Sequence, residues 1–176
     1  MNTQHTRLHR SHCLPRRAPI LLLAGLALAA ALPAGHARAA ADAPWGQARA
    51  VEQTYARQKV VYDVTTGSEA TMRGVISRAV LLADLNGSDP FDSKIVIMLH
   101  GNEIPFFAIR NLAKYRELMQ RAQSATQSGV IEFRMCRLAA EGHGFAPEDI
   151  HGFVTLVPMA DAEIVRLQQQ GHAYMR

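Results

Sequence analysis

Cysteine is scarce in this chain: its 176 residues hold two, Cys13 and Cys136. No Cys-x-x-Cys or His-x-x-x-His spacing accompanies Cys136, which argues against a metal site. Two thiols so far apart also exclude the multi-bridge framework that staples many small secreted domains. Aromatic residues make up only 6%, with a single Trp, so any core is mainly aliphatic. Phosphate-cradling turns are missing too. No Gly-x-Gly-x-x-Gly follows the first strand pattern and no Gly-Lys-Ser/Thr occurs, which removes the nucleotide-binding fingerprints. Gly-x-Ser-x-Gly and His-Glu-x-x-His are absent, and with them the hydrolase elbow and the zinc-protease helix. Glu103, Glu132 and Asp149 are scattered, without the pairing that glycoside hydrolysis needs. The residues call for no cofactor.

Acidic residues are absent from the first 41 positions. Met1 to Arg17 is polar and basic, Ala18 to Leu32 is almost unbroken apolar sequence, and Pro33 and Gly35 interrupt it. Small residues follow at Ala37-Arg38-Ala39 and Ala39-Ala40-Ala41. This order predicts a signal peptide over 1–41, cleaved after Ala39 or Ala41, and a periplasmic product. An apolar run of about 15 residues falls short of the ~20 that span a bilayer, which disfavours a retained anchor. Cys13 precedes the run and is not a lipid-attachment residue. Arg16-Arg17 is followed by Ala18-Pro19, where a twin-arginine leader carries an aromatic residue or leucine, so the general secretory route is favoured. Of 19 Lys and Arg, five leave with the leader, so 14 remain against 15 Asp and Glu. A nearly neutral mature chain gives no electrostatic case for nucleic acid, or for a membrane after cleavage.

What remains alternates between two periodicities. Residues 42–58 read as an N-terminal segment with a short helix, Trp45 packing on the domain that follows. Val60 to Val64 is a short β-branched strand closed by Thr65-Thr66-Gly67. Met72, Val75, Ile76, Ala79, Val80 and Ala83 form one helix face, with Ser68 as N-cap and Asn86-Gly87 as stop. Ile95 to Leu99 is apolar without alternation, as in a strand covered on both sides. A second helix is expected from about Ile109 to Gln127 and a third strand from Val130 to Met135. A short helix near Arg137 to Gly142 follows, then a strand over Phe153–Val157 and a helix over Asp161–Gln170. His172 to Met175 reads as an edge strand. Strands alternating with helices over 59–176 predict an α/β domain with a mainly parallel sheet of about five strands.

Such folds bind ligands beyond the carboxyl ends of their strands, and Cys136 falls at one of these ends. There the unpaired backbone N–H groups of a starting helix stabilise a thiolate, a nucleophile and a sulfur acceptor. Arg134 and Arg137 flank it and add positive charge where they point its way. His100 ends the second strand, and His143 lies seven residues after the cysteine. Either is a candidate to orient a bound sulfur species or donate a proton.

The stretches Lys94–Gly101 (KIVIMLHG), Gly129–Cys136 (GVIEFRMC) and Val157-Pro158 through Arg166–Tyr174 (RLQQQGHAY) resemble the DsrE/DsrF-like (YchN-like) family over about residues 59–176. The resemblance implies a three-layer α/β/α sandwich that assembles into trimers or hexamers. It also implies that Cys136, matching the cysteine at the end of the family's third strand, carries sulfur as a persulfide; His100 and Arg137 are read from their placement as lining that site. Partners would then be other copies of the chain, and sulfur donor and acceptor proteins or small polysulfides. The competing expectation is a non-catalytic oligomeric module that binds a small ligand and merely packs Cys136 in its core.

Overall fold

The computed structural model describes residues 45–176, and the leader read over 1–41 lies outside them. The chain divides into two units, Met1–Val51 and Glu52–Arg176; the second carries the fold. Five strands, β1 (Lys59–Val64), β2 (Lys94–Leu99), β3 (Ile131–Cys136), β4 (Val154–Val157) and β5 (Ala173–Met175), form one sheet. Their order is β4-β3-β2-β1-β5, and every pairing is parallel. Four helices connect them: α1 (Glu69–Leu85), α2 (Leu112–Thr126), α3 (Arg137–Gly142) and α4 (Ala160–Gln169).

The order dictates the layers. Strands β1 to β4 step in one direction across the sheet, so right-handed crossovers put α1, α2 and α3 on one face. The return to β5 reverses that direction and sends α4 to the other face. Packing agrees. Val60, Tyr62, Val64, Ile97, Phe133 and Met135 bury against the first group, including Met72, Ile76, Leu118 and Ala140. Val61, Val96, Met98, Cys136 and Val157 meet Ala160, Ile164 and Leu167 of α4. This is the three-layer α/β/α arrangement. Lying between β1 and β3 with helices on both sides, β2 has no solvent face, which is why Ile95–Leu99 is apolar throughout. By contrast β3 alternates: Ile131, Phe133 and Met135 enter the larger core, and Glu132 and Arg134 take the other face.

Local signals place the helix ends. The Thr71 N–H donates to Ser68 Oγ (3.2 Å), capping α1, and Gly87 leaves the helix at φ +76°. Two short 3-10 turns, Ile104–Phe107 and Ile109–Asn111, lead into α2, so the helix expected from Ile109 starts three residues later.

The short helix expected in 42–58 is not found: residues 46–58 contain no helical turn, and Trp45 is 95% exposed. Helices this short do not persist in water on propensity alone. No helix among the described residues is long and apolar enough to cross a membrane.

Candidate functional site

The strand exits decide where a crevice can form. From β1, β2 and β3 the chain turns toward the face of α1, α2 and α3; from β4 it turns toward α4. The chain therefore departs in opposite directions from the carboxyl ends of β3 and β4, the kind of switch point where open α/β sheets bind ligands. Cys136 is the last residue of β3, and Val157, its register partner, is the last of β4. The thiol lies on the α4 face, 6% exposed, at the N-cap of α3 with extended backbone (φ −65°, ψ 118°).

His100 arrives beside it through register. Met98 pairs with Arg134 and Leu99 with Met135, so the next step along both strands sets His100 opposite Cys136, strands being about 4.8 Å apart. The ladder toward β1 persists this far, with the His100 N–H donating to the Val64 carbonyl (3.4 Å). Alternation puts His100 on the same face as Met98, hence that of Cys136. Its ring reaches the neighbouring strand, where Nε2 lies 2.5 Å from Asp63 Oδ1. Tyr174 of β5 donates its hydroxyl proton to the other oxygen, Asp63 Oδ2. A hydrogen-bonded chain Tyr174–Asp63–His100 thus crosses β5, β1 and the end of β2, where the continued register brings the backbone of His100 opposite that of Cys136.

Electrostatics fix the state of the carboxyl. Burial alone would push Asp63 up, but the hydrogen bonds from Tyr174 and His100, with positive charge from the imidazole when it is protonated and from Arg176, outweigh it. Asp63 is held below the usual carboxylate range. The same bond to Asp63, with burial and the aspartate charge, pushes the Tyr174 hydroxyl up. An ionised Asp63 accepts only, so Nε2 of His100 carries a hydrogen.

The loops that carry these groups are tightly apposed. A Cβ on Gly101 would lie 2.7 Å from Thr65 Cα, so glycine allows the exits of β1 and β2 to touch. Glu103, on the same loop, is fully buried: Oε1 accepts from the Gly101 N–H (2.8 Å), and Oε2 has no partner among the described residues. Burial pushes its carboxyl up, against backbone N–H groups of Gly101, Glu103 and His100 that favour the anion.

Of the residues named from sequence, Cys136 and His100 stand at adjacent strand ends, with the imidazole turned toward Asp63, and the arginines engage carboxylates elsewhere. The half-exposed Arg137 faces Glu141 one turn along α3 (3.8 Å). Arg134 shares the α4 face with Cys136, but its guanidinium is taken by Glu132 (2.6 Å) and Glu163. His143 caps the end of α3 in solvent. Asp63 and Tyr174 are functional candidates that the sequence reading passed over. One signal was available for Asp63, a lone carboxylate inside the β-branched run Val60–Val64. A cavity of about 520 Å³ lies apart from this site, between α2 and the approach to β4, lined by Arg116, Gln120, Gln123 and His151. Asp63, His100 and Cys136 lie instead at the carboxyl ends of adjacent strands. Among the described residues no group of three or more His, Cys, Asp or Glu is placed to hold a metal ion.

No family model matches the chain, and no curated protein matches it. Among solved structures, a protein of unknown function from Methanobacterium thermoautotrophicum is similar at 21% identity and a TM-score of 0.51. The match covers 68% of this chain and 98% of that one. It supports the fold and says nothing of activity.

Proposed function

We propose that the protein is an exported, DsrE-like sulfur carrier that holds sulfane sulfur as a persulfide on Cys136. One observation carries the reading: the single cysteine of the domain stands at the switch point of the sheet, with a histidine in register beside it. In the loading step the Cys136 thiolate attacks the outer sulfur of a hydropersulfide R–S–SH. The Sγ–S bond forms, the donor S–S bond breaks, and its electron pair leaves on R–S⁻, which takes a proton to become R–SH. Sulfur passes between thiols with no net oxidation, so no redox cofactor is needed. The assigned site is Cys136 with His100; Arg137 contributes only general positive charge, since its guanidinium faces Glu141. Donors and acceptors would be proteins or small polysulfides in the periplasm. A homotrimer or hexamer is proposed from the family resemblance and the exposed edge strand β5, whose free backbone groups invite pairing or cover.

A second reading has its own support. Cys136 is 6% exposed among apolar side chains, as a cysteine used for packing would be. In that case the domain is an oligomeric ligand-binding module. Native protein treated with inorganic polysulfide separates the two. A carrier gains the mass of whole sulfur atoms at Cys136, and Cys136→Ser folds but gains none. Failure to load or alkylate native Cys136, with ready reaction after unfolding, assigns the thiol to packing.

A further inference from the structure

We infer that Asp63 and Tyr174 are positioning residues that hold His100 as its Nε2–H tautomer, leaving Nδ1 as the nitrogen that exchanges protons at Cys136. The inference builds on the sulfur-carrier reading but concerns the imidazole. Nε2 is engaged by Asp63 Oδ1, and Asp63 Oδ2 is engaged by the Tyr174 hydroxyl, so both carboxylate oxygens are occupied. Among the described residues Nδ1 makes no hydrogen bond, to Cys136 included, and it is not closed off from solvent; the side chain is 22% exposed. The second nitrogen of a histidine is defined by what the first one holds. Here β1 and β5 make that choice, and β2 presents the result to β3.

The proton inventory closes without an outside acid or base. Nδ1 takes the proton of the Cys136 thiol, and the resulting imidazolium is stabilised through Nε2–H by the Asp63 carboxylate. The thiolate forms the Sγ–S bond as the donor S–S bond breaks, and Nδ1 returns its proton to the departing R–S⁻. The sum is Cys136–SH plus R–S–SH giving Cys136–S–SH plus R–SH. Around His100 the charged and titratable groups are Asp63 of β1, Tyr174 of β5, Glu103 of the following loop and, acting through Asp63, Arg176. Tyr174 comes from the C-terminal edge strand, so the last strand to join the sheet completes the chain behind His100.

Asp63→Asn tests the inference on the full-length mature protein by two readouts that need no sulfur chemistry. Long-range proton–nitrogen NMR of the imidazoles should show His100 as Nε2–H in the wild type. In the variant, the Asn amide donates to Nε2 and the ring should switch to Nδ1–H. Iodoacetamide alkylation of Cys136 at neutral pH should slow about tenfold or more, positioned acid–base groups being worth ~10²–10⁴ in rate. The two proteins should converge at alkaline pH, where solvent ionises the thiol. Tyr174→Phe, altering an exposed side chain, should give a smaller loss in the same direction. A purely structural Asp63 would instead loosen the site and speed alkylation at every pH. An unchanged tautomer, or faster alkylation in Asp63→Asn, overturns the inference. If tautomer and alkylation respond as stated but polysulfide does not load, the inference stands and the sulfur-carrier reading falls.

Discussion

Replacing Gly101 by Ala asks whether the exits of β1 and β2 are as close as described. The new methyl carbon would lie 2.7 Å from Thr65 Cα, 2.9 Å from Thr65 Cβ and 3.1 Å from its carbonyl carbon. Carbon atoms in ordinary contact sit about 3.5–4.0 Å apart, so one loop must retreat by roughly 1 Å. The obstacle is mostly backbone and cannot rotate away. Inserting a methyl into such a site costs about 1–3 kcal/mol. In a domain of this size each kcal/mol lowers Tm by about 3–6 °C, so a fall of roughly 5–15 °C is expected by thermal unfolding. Thr65 lies two residues beyond Asp63, and Gly101 follows His100 directly, so the same displacement should stretch the bond between them. Cys136 alkylation at neutral pH should therefore slow even at temperatures where the variant is fully folded. Gly152→Ala is the control: its Cβ meets nothing within 4 Å and its φ is not positive. A Gly101→Ala protein as stable as Gly152→Ala would refute the close approach and the loop geometry built on it.

Two further outcomes follow from single side chains. Gly74 is exposed inside α1 with open space around its Cβ position, so Gly74→Ala should raise stability by up to about 1 kcal/mol in urea unfolding. Burial raises the Glu103 carboxyl, so the folded state binds its proton more tightly than the unfolded chain. Its contribution to stability is full below the unfolded value and declines as pH rises through the carboxyl range. Measured against Glu103→Gln, wild-type stability should accordingly worsen as pH rises above the unfolded value of ~4.3; a difference independent of pH would contradict the assignment.

Much of the fold was legible because its signals are local. The unalternated Ile95–Leu99 run foretold a strand covered twice, the Met72-to-Ala83 stripe foretold α1, and Ser68 and Gly87 marked its ends. Cys136 and His100 were legible as strand ends in a parallel sheet. The link between them was less so. Tyr174 and Asp63 are 111 residues apart and meet only because β5 joins β1 rather than β4. That strand order is set by which face α4 covers, a balance of packing across the whole sheet. The arginines misled for the opposite reason. Nearness in sequence suggested that they serve the thiol, but Arg137 has Glu141 one helical turn away, and Arg134 has Glu163, 29 residues on, brought over by α4. A guanidinium with a carboxylate in reach takes it, since the paired geometry supplies parallel hydrogen bonds as well as charge. Residues 46–58 show the limit of propensity alone: helix-permissive residues there form no helical turn.

One face of the sheet rests under a single ten-residue helix, and this divides the molecule's stability unevenly. On the other face the apolar cluster is held by three helices and spans every strand but the last. The α4 cluster is far smaller, and the segment that covers it, Ala160–Met175, is continuous, C-terminal and ends on an edge. Such a segment can detach as one cooperative piece at a free energy well below that of global unfolding, and its amides would exchange with solvent as a group. Detachment removes Tyr174 from Asp63 and lifts Ile164 and Leu167 off Val96, Met98 and Cys136 in the same event. The thiol that is nearly closed off in the ground state then becomes open to a bulky partner. Exposure of the thiol to a bulky reagent would thus follow the opening equilibrium of the chain's last two elements.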